Sequence, residues 1–299
     1  MKNFWLVAAV IAASGCVSEI DSSSGVGESS EPLDSIDGHG QPPKLGLHFA
    51  RGHGGGGGSA NMIFHNGAIM TTAVTKAIFW GTSWAGYSGD KMTGLDTWYE
   101  GFGSSNYSKT SDEYTGTNGQ VGAATTHQGH VIDTSAASGG AQTSAILAEV
   151  CKMITNPDPN GYYAVYTDVP RGHANYCAYH SFGTCSGTPV QFAFFFALDG
   201  DSGCDPQDTS GLHSQGLAAL ANVSGHELSE ARTDPRNGGW YDSGGQENGD
   251  KCAWTFGAPL VTFSNGSQWK IQGEWSNSAF TAGTGYANSS GQKGCLSGQ

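Results

Sequence analysis

The chain has 299 residues and a formal net charge of −13, with 13 lysines and arginines against 26 acidic residues. The basic residues form no cluster, so nucleic acid is not expected as a partner. The 47 glycines and the frequent aromatic residues are typical of a loop-rich extracellular domain with an aromatic core, and they argue against a helical bundle.

The N-terminus resembles an export signal. A short segment containing Lys2 precedes the apolar residues 4–13, a run too short to span a bilayer. Residues 13–16 (ASGC) are similar to a bacterial lipobox. Residues 1–15 are therefore predicted to be a lipoprotein signal peptide with lipid attachment on Cys16, and plain secretory cleavage nearby is the alternative. The protein is expected in the outer membrane, at the cell surface or outside the cell, and it would touch a membrane only through this lipid anchor.

Composition divides the remaining chain into two parts. Residues 16–59 are rich in Ser, Gly and acidic residues and predict a flexible tether, whereas residues 60–299 predict one disulfide-bonded α+β domain. Without Cys16 an even number of cysteines remains and no C-x-x-C pair occurs, which favours three disulfides over zinc–thiolate sites. The pairs Cys177–Cys185 and Cys252–Cys295 are suggested, but the sequence does not determine the pairing. The six candidates are Cys151, Cys177, Cys185, Cys204, Cys252 and Cys295.

The predicted elements alternate along the domain. Aromatic and β-branched content predicts strands, and apolar residues at helical spacing predict helices. In chain order the predictions are strand 75–80, helix 94–102, strand 130–133, helix 143–154, strands 162–166 and 190–198, and helix 212–232, followed after Pro235 by turns and short strands. This order is similar to that of zincin-like metalloproteases, in which a mixed sheet packs on the active-site helix and its edge strand holds extended substrate. His127 and His130 could pair on a metal, but their glycine-rich flanks favour a loop.

The end of the last helix, residues 224–235 (SGHELSEARTDP), carries the most informative pattern. His226 and Glu230 are four residues apart and share one helix face, which is how a helix presents two ligands to one metal ion. Glu227 lies beside them, where a metallohydrolase keeps its general base. His226 and Glu230 are therefore predicted metal ligands and Glu227 the predicted catalytic residue.

The third ligand and the metal remain open. A catalytic zinc takes three protein ligands and a water, and a thermolysin-like helix would have histidine where this chain has Glu230. The carboxylate-rich set suits calcium as well as zinc. The candidates for the third ligand are Asp234, Asp242, Glu247 and Asp250, with His173, His180 and His213 in reserve.

Several segments resemble the phosphate-induced protein 1 (EXORDIUM-like) family. Residues 63–70 (IFHNGAIM) are similar to its early "YHNG-apolar" segment, and residues 76–81 (KAIFWG) resemble its strand ending in "WYG". Residues 163–177 are similar to its "YxVLT…C" region, followed by Cys185 as a family-like second cysteine. Residues 233–252 are similar to its "TNP…WY…E…C" stretch. The resemblance implies an extracellular, cell-wall-associated protein without implying an enzyme, because the His-Glu pair is not a regular feature of the plant members.

Three functions follow from these patterns. The leading hypothesis is an exported metal-dependent hydrolase, a zinc metallopeptidase, acting on a peptide. The alternative is a non-catalytic EXORDIUM-like surface protein that binds cell-wall polymer or a protein partner. In a third interpretation, calcium serves as a structural ion only.

Overall fold

The computed structural model describes Met1, residues 41–54 and residues 58–299. The predicted signal peptide, Cys16 and most of the predicted tether lie outside the described residues. The domain is of mixed α+β type, as the sequence predicts.

The described part of the chain contains four α-helices and fifteen strands, many of them only two residues long. The helices are α1 (Lys91–Phe102), α2 (Thr143–Met153), α3 (Gln215–Thr233) and α4 (Asn277–Ala282), with 3₁₀ helices at Thr82–Trp84, Ser108–Ser111 and Asp250–Cys252. The strands are β1 (Leu45–Phe49), β2 (Ile63–Phe64), β3 (Ala73–Trp80), β4 (Thr115–Gly116), β5 (Gly119–Gln120), β6 (Thr125–Asp133), β7 (Gly161–Pro170), β8 (Tyr176–Cys185), β9 (Thr188–Ala197), β10 (Trp240–Tyr241), β11 (Val261–Thr262), β12 (Gln268–Trp269), β13 (Glu274–Trp275), β14 (Tyr286–Ala287) and β15 (Lys293–Leu296).

A mixed six-stranded sheet forms the centre, in the order β1-β8-β9-β7-β3-β6. Strands β9, β7, β3 and β6 are parallel, whereas β8 runs antiparallel to both β9 and β1. The central strands β7 and β9 are almost wholly buried and read as continuous aromatic and branched runs, as expected for strands covered on both faces.

Helices cover the sheet on both faces. His180 and Gly183 of β8 are three residues apart, so they face opposite sides of the sheet. His180 lies against Glu230 of α3, whereas a side-chain carbon at Gly183 would meet Leu147 of α2. Helix α1 packs on the α3 side. Among the described residues, no helix has the length and apolar composition needed to cross a membrane.

The sheet has three features that the sequence patterns do not predict. Strand β8 is absent from the prediction because YCAYHSFGTC mixes small and polar residues with its aromatics. Strand β6 begins at Thr125, before the predicted start at residue 130, so His127 lies in the same strand as His130 and the loop prediction for this pair is wrong. Strand β1 lies inside the predicted tether, because Leu45, His48 and Phe49 pair with β8 despite their polar surroundings.

Three disulfides are present, as predicted. Cys252–Cys295 is confirmed, but Cys177–Cys185 is wrong, because the bridges are Cys151–Cys185 and Cys177–Cys204. Cys177 and Cys185 lie near the two ends of the extended strand β8, roughly 26 Å apart at 3.3 Å per residue, far beyond disulfide reach. The bridges indicate an oxidising, extracellular-type environment.

Candidate metal centre

Helix α3 places the predicted ligands and the predicted base in the interior of the domain. Ser214 caps its N-terminus by accepting a hydrogen bond from the backbone amide of Leu217. Nearly the whole helix is buried, so no face of it is left to solvent. His226, Glu227 and Glu230 are each 0% exposed. A helix buried on all sides must place its polar side chains against other polar groups, and these three residues do so at one point.

One group of possible ligands joins His226, Glu230 and Asp250. Their ligand atoms lie within 4.8 Å of one another. His226 Nε2 is 3.0 Å from Glu230 Oε1 and 3.5 Å from Asp250 Oδ1. Asp250 begins a 3₁₀ helix, and its backbone amide donates a hydrogen bond to Glu230 Oε1. The structure therefore brings together both predicted helix ligands and one of the four candidates for the third.

A second group shares Glu230. His180 Nε2 lies 3.2 Å from Glu247 Oε1 and 4.0 Å from Glu230 Oε2, and all three residues are buried. The two oxygens of Glu230 thus face two different sets of possible ligands. His180, a reserve candidate, and Glu247, a predicted one, are both placed at the site.

His48 of β1 is the third histidine at the site. Its ring stacks on that of His226, with centroids 4.1 Å apart and planes 6° from parallel. His48, His226 and Glu227 form the third group of atoms within 4.8 Å. We refer to the assembled residues as the α3 cluster: His48, His180, His226, Glu227, Glu230, Glu247 and Asp250.

The α3 cluster contains buried polar atoms that have no hydrogen-bond partner among the described residues. Each such atom costs about 1–3 kcal/mol when it stays unpaired. His226 Nε2 is one of them, because its short approach to Glu230 lacks the alignment of a hydrogen bond. The others are His48 Nδ1 and Nε2, His180 Nδ1, both carboxylate oxygens of Glu227, Glu230 Oε2 and Glu247 Oε2. A cation between these nitrogens and oxygens would satisfy several of them together, so the residues present fit a metal ion.

Burial controls protonation in the cluster. Desolvation lowers the pKa of His180 and His226 to about 3. Desolvation, reinforced by the charges of neighbouring acids, raises the pKa of Glu227 and Glu247 well above the ordinary value, and desolvation likewise raises that of Glu230. Among the described residues, no lysine or arginine forms an ion pair with these three glutamates. The cluster holds an excess of acidic groups that only protons or a bound cation can neutralise.

Gln272 orients the ring of His226. Its amide nitrogen donates to Gly249 O and to His226 Nδ1, and its oxygen accepts from the backbone amide of Trp254. These contacts assign Nδ1 as the acceptor and leave the proton on Nε2. Binding of a cation through Nε2 would move that proton to Nδ1 and require the Gln272 amide to rotate. Gln272 is thus a positioning residue that the sequence patterns do not reveal.

Two predicted ligands lie elsewhere. Asp234 Oδ1 accepts hydrogen bonds from the backbone amides of Gly238 and Gly239, so this residue stabilises the turn after α3. Asp242 forms an ion pair with Lys251 at 2.8 Å. Nearness in sequence to Glu230 suggested both, but each carboxylate already has local donors, and neither belongs to a group of possible ligands.

The other reserve histidines are also outside the cluster. His213 stacks on Trp269, with centroids 4.0 Å apart, and contacts Gln268 O. His173 is exposed. His48, in contrast, was assigned to the tether, and the alternation of apolar residues in LGLHF is the signal that identifies it as part of a strand.

A second set of histidines and acid lies near the opposite edge of the sheet. His127 Nε2 is 2.9 Å from Asp96 Oδ1, and His130 Nδ1 is 2.7 Å from Asp96 Oδ2. Thr75 Oγ1 contacts the remaining nitrogen of His127 at 3.0 Å. We refer to Asp96, His127 and His130 as the β6 cluster. It is not among the groups of possible ligands in the described part of the chain.

Comparisons with known proteins identify no relative: the chain matches no protein-family model, no curated protein and no solved structure.

Proposed function

We propose that this protein is a metal-dependent hydrolase, a peptidase, with its active centre at the α3 cluster. The observation that carries the proposal is the convergence of ligand atoms of His226, Glu230 and Asp250 within 4.8 Å, beside buried nitrogens and oxygens that have no hydrogen-bond partner in the described part of the chain. Clusters of strongly perturbed titratable groups are typical of functional sites.

The donor set favours zinc. His226 would supply an imidazole nitrogen, and Glu230 and Asp250 would supply carboxylate oxygens, a set of three protein ligands typical of catalytic zinc. Calcium takes oxygen ligands almost exclusively, which disfavours it where imidazole nitrogens converge. His180 and Glu247 are the alternative partners of Glu230. A bound zinc ion would act as a Lewis acid toward a substrate carbonyl and lower the pKa of water.

Glu227 is the proposed general base. Both of its oxygens are buried without a hydrogen-bond partner among the described residues, and it shares a group with His226. In peptide hydrolysis, Glu227 would take a proton from the attacking water as the new C–O bond forms. It would then give that proton to the leaving amine nitrogen as the C–N bond breaks.

The architecture supports a zincin-like assignment. A mixed sheet packs on α3, and the antiparallel strand β8 lies on the side of the sheet that borders the cluster. The packing of a sheet on this helix is what the order of predicted elements led us to expect, whereas β8 was not predicted; both features support the fold analogy alone.

Elemental analysis of the full chain, produced in an oxidising host, tests the proposal. We expect about one zinc per chain, lost in His226→Ala and retained in His213→Ala, whose histidine lies outside the cluster. Absence of metal in a wild-type protein with all three disulfides formed would reject the proposal. Calcium bound in place of zinc, without hydrolysis of a peptide library, would support a structural ion instead.

One observation favours the non-catalytic alternative, an EXORDIUM-like protein that binds wall polymer or a partner. The histidines and glutamates of the α3 cluster are at most 3% exposed, which leaves no path for a substrate. Two surface depressions, one near Asn106 and Tyr286 and the other near Ser104 and Phe263, do not include any cluster residue. The alternative predicts that Glu227→Gln leaves every measured property unchanged.

We also propose that Cys16 is lipidated and anchors the protein at the outer membrane or cell surface. The support is the lipobox-like sequence before Cys16. Expression in a lipoprotein-processing bacterium should move the wild-type protein into the detergent phase of a Triton X-114 partition. The Cys16→Ser variant should remain in the aqueous phase.

A further inference from the structure

Strand β1 is the element that lies directly against the α3 cluster. A side-chain carbon at Gly46 would overlap Glu230 Oε2 and lie 2.6 Å from Cδ2 of His180. Two residues later, His48 stacks on His226. The backbone of β1 and one of its side chains thus occupy the space beside the proposed ligands and base.

The contacts of β1 are those of a bound extended peptide. It pairs antiparallel with β8, which without β1 would be the edge of the six-stranded sheet. Side chains also bind the backbone near both ends of β1. Ser181 Oγ donates to Pro43 O, just before the strand, at 2.6 Å, and Trp254 Nε1 donates to Phe49 O, at its end, at 2.8 Å. Main-chain pairing to a sheet edge gives affinity for a strand of many sequences.

We propose that the groove between β8 and α3 is a binding cleft for an extended polypeptide that carries glycine at the position of Gly46, and that β1 is its internal occupant. β1 leaves when the external strand enters, so it keeps the cleft closed until then. The cleft and its ligand class stand on the β1 contacts, and only the statement that the ligand is hydrolysed rests on the proposed function.

Several features indicate an occupant that is held less well than a core strand. The register between β1 and β8 shifts twice within five residues. Gly46 has a φ of +45°, which interrupts the regular extended backbone. His48 is 0% exposed, yet neither of its ring nitrogens has a partner among the described residues. The central strand β9 has no such unpaired buried side-chain atom, so its polar groups are better satisfied than those of β1.

The close approach at Gly46 explains the preference for glycine. Any larger residue would press its side chain into Glu230 and His180, both of which are fully buried and cannot retreat into solvent. The requirement applies equally to β1 and to an external strand in the same register.

Peptide binding to a variant with a displaced β1 tests the proposal. In the full-length Gly46→Val protein, the added side chain should force β1 out of the cleft while β8 stays anchored by its two disulfides. A fluorescent peptide with the sequence of residues 41–54 should bind this variant. The same peptide carrying valine at position 46 should bind at least about tenfold more weakly. Wild-type protein should bind the glycine peptide more weakly than the variant does, because its own β1 competes at a high effective concentration.

A folded Gly46→Val protein with all three disulfides that binds neither peptide would overturn the proposal, as would equal binding of the two peptides. Hydrogen exchange on wild-type protein provides a test that does not depend on the variant. The amides of β1 should exchange at least about 100-fold faster than those that join β8 to β9, through a separate local opening. Equal rates would show that β1 is an integral strand.

These outcomes are independent of metal analysis and turnover. Peptide binding without zinc would leave the cleft standing and reject the hydrolase. Zinc binding without peptide binding would reject the cleft and leave the proposed metal centre standing.

Discussion

The two clusters of histidines and carboxylates differ in how many of their polar atoms have hydrogen-bond partners. In the β6 cluster, each oxygen of Asp96 contacts one histidine, and His127 also contacts Thr75. In the α3 cluster, neither oxygen of Glu227 meets the geometry of a hydrogen bond, although the backbone amide of His48 lies close to it, and Glu230 and Glu247 each have one oxygen without a partner among the described residues. Similar residue types therefore form a self-sufficient network in one place and an incomplete one in the other.

The protonation behaviour follows the same division. Burial acts to raise the pKa of Asp96, but hydrogen bonds from His127 and His130 outweigh it and lower the pKa below its ordinary value. Burial raises the pKa of Glu227, and its acidic neighbours raise it further. A histidine–carboxylate cluster thus points to a metal when its acids outnumber their donors, and to a structural network when they do not.

The largest effect is expected from Glu227→Gln. If Glu227 is the general base, hydrolysis should fall by about 10²–10⁴-fold, because the amide cannot accept the proton. Zinc content and thermal stability should stay close to those of the wild type. The measurement is the rate against a peptide library beside Glu100→Gln, a matched change at an exposed position. Equal rates for the two variants would place Glu227 outside the chemistry.

The second-largest effect is expected on the affinity for zinc, which should depend on the α3 cluster and not on the β6 cluster. Glu230→Gln should weaken zinc binding by about 100-fold or more, because it replaces a proposed ligand and also disturbs its partners. Asp96→Asn should leave the affinity unchanged. Competition with a chromophoric chelator measures both. Equal losses in the two variants would contradict the assignment of zinc to the α3 cluster.

Removal of metal should destabilise the protein more at pH 8 than at pH 5.5. Without a cation, the raised pKa values of Glu230 and Glu247 mean that stability falls as the pH rises above 4.5. The lowered pKa of His180 and His226 means that stability also falls as the pH drops from 6.5 toward about 3. Zinc at 100 times its Kd adds about 2.7 kcal/mol, a shift of about 5–10 °C in Tm.

Melting curves with and without chelator at the two pH values test this prediction. Protons compete with the cation for the carboxylates, so the shift at pH 5.5 should be the smaller one. A shift that is independent of pH would argue that the cation binds outside these buried carboxylates.

The smallest effect concerns the β6 cluster. Asp96→Asn should cost about 1–3 kcal/mol at pH 7, the range for hydrogen bonds to a charged group. Because the pKa of Asp96 is lowered from 3.8 in the folded state, its contribution is present above pH 4 and lost as the pH falls through the folded pKa. Denaturant unfolding at pH 7 and pH 3 should show the difference between wild type and variant shrinking at pH 3. A constant difference would show that the carboxylate charge plays no part.

The sequence patterns predict the three longer helices and the buried parallel strands well, but they miss the short helix α4 in the region predicted to contain turns and short strands. Residues 143–154 and 75–80 have strong periodicity or continuous apolar character, and the structure places α2 at Thr143–Met153 and β3 at Ala73–Trp80. Helical spacing also brings His226 and Glu230 together, because that distance depends only on local geometry. The sequence therefore predicts those parts of the structure whose geometry depends on residues close together in the chain.

The rest of the site depends on tertiary contacts. Asp242 and Asp250 both follow Glu230 within 20 residues, yet only Asp250 reaches the cluster, because Asp242 pairs with Lys251. His48 lies 178 residues before His226 in the chain and arrives through the pairing of β1 with β8. No local pattern encodes such a pairing when the strand is only five residues long.

Strand β8 is covalently held near both ends, by Cys177–Cys204 and Cys151–Cys185, with His180 between them. Neither bridge includes β1 or α3. The two bridges therefore stabilise the position of His180 in addition to the pairing of β8 with its neighbouring strands. In a reducing compartment neither bridge would persist, so the strand that carries one histidine of the α3 cluster would lose both covalent anchors, and the proposed metal centre would be best formed where the environment is oxidising.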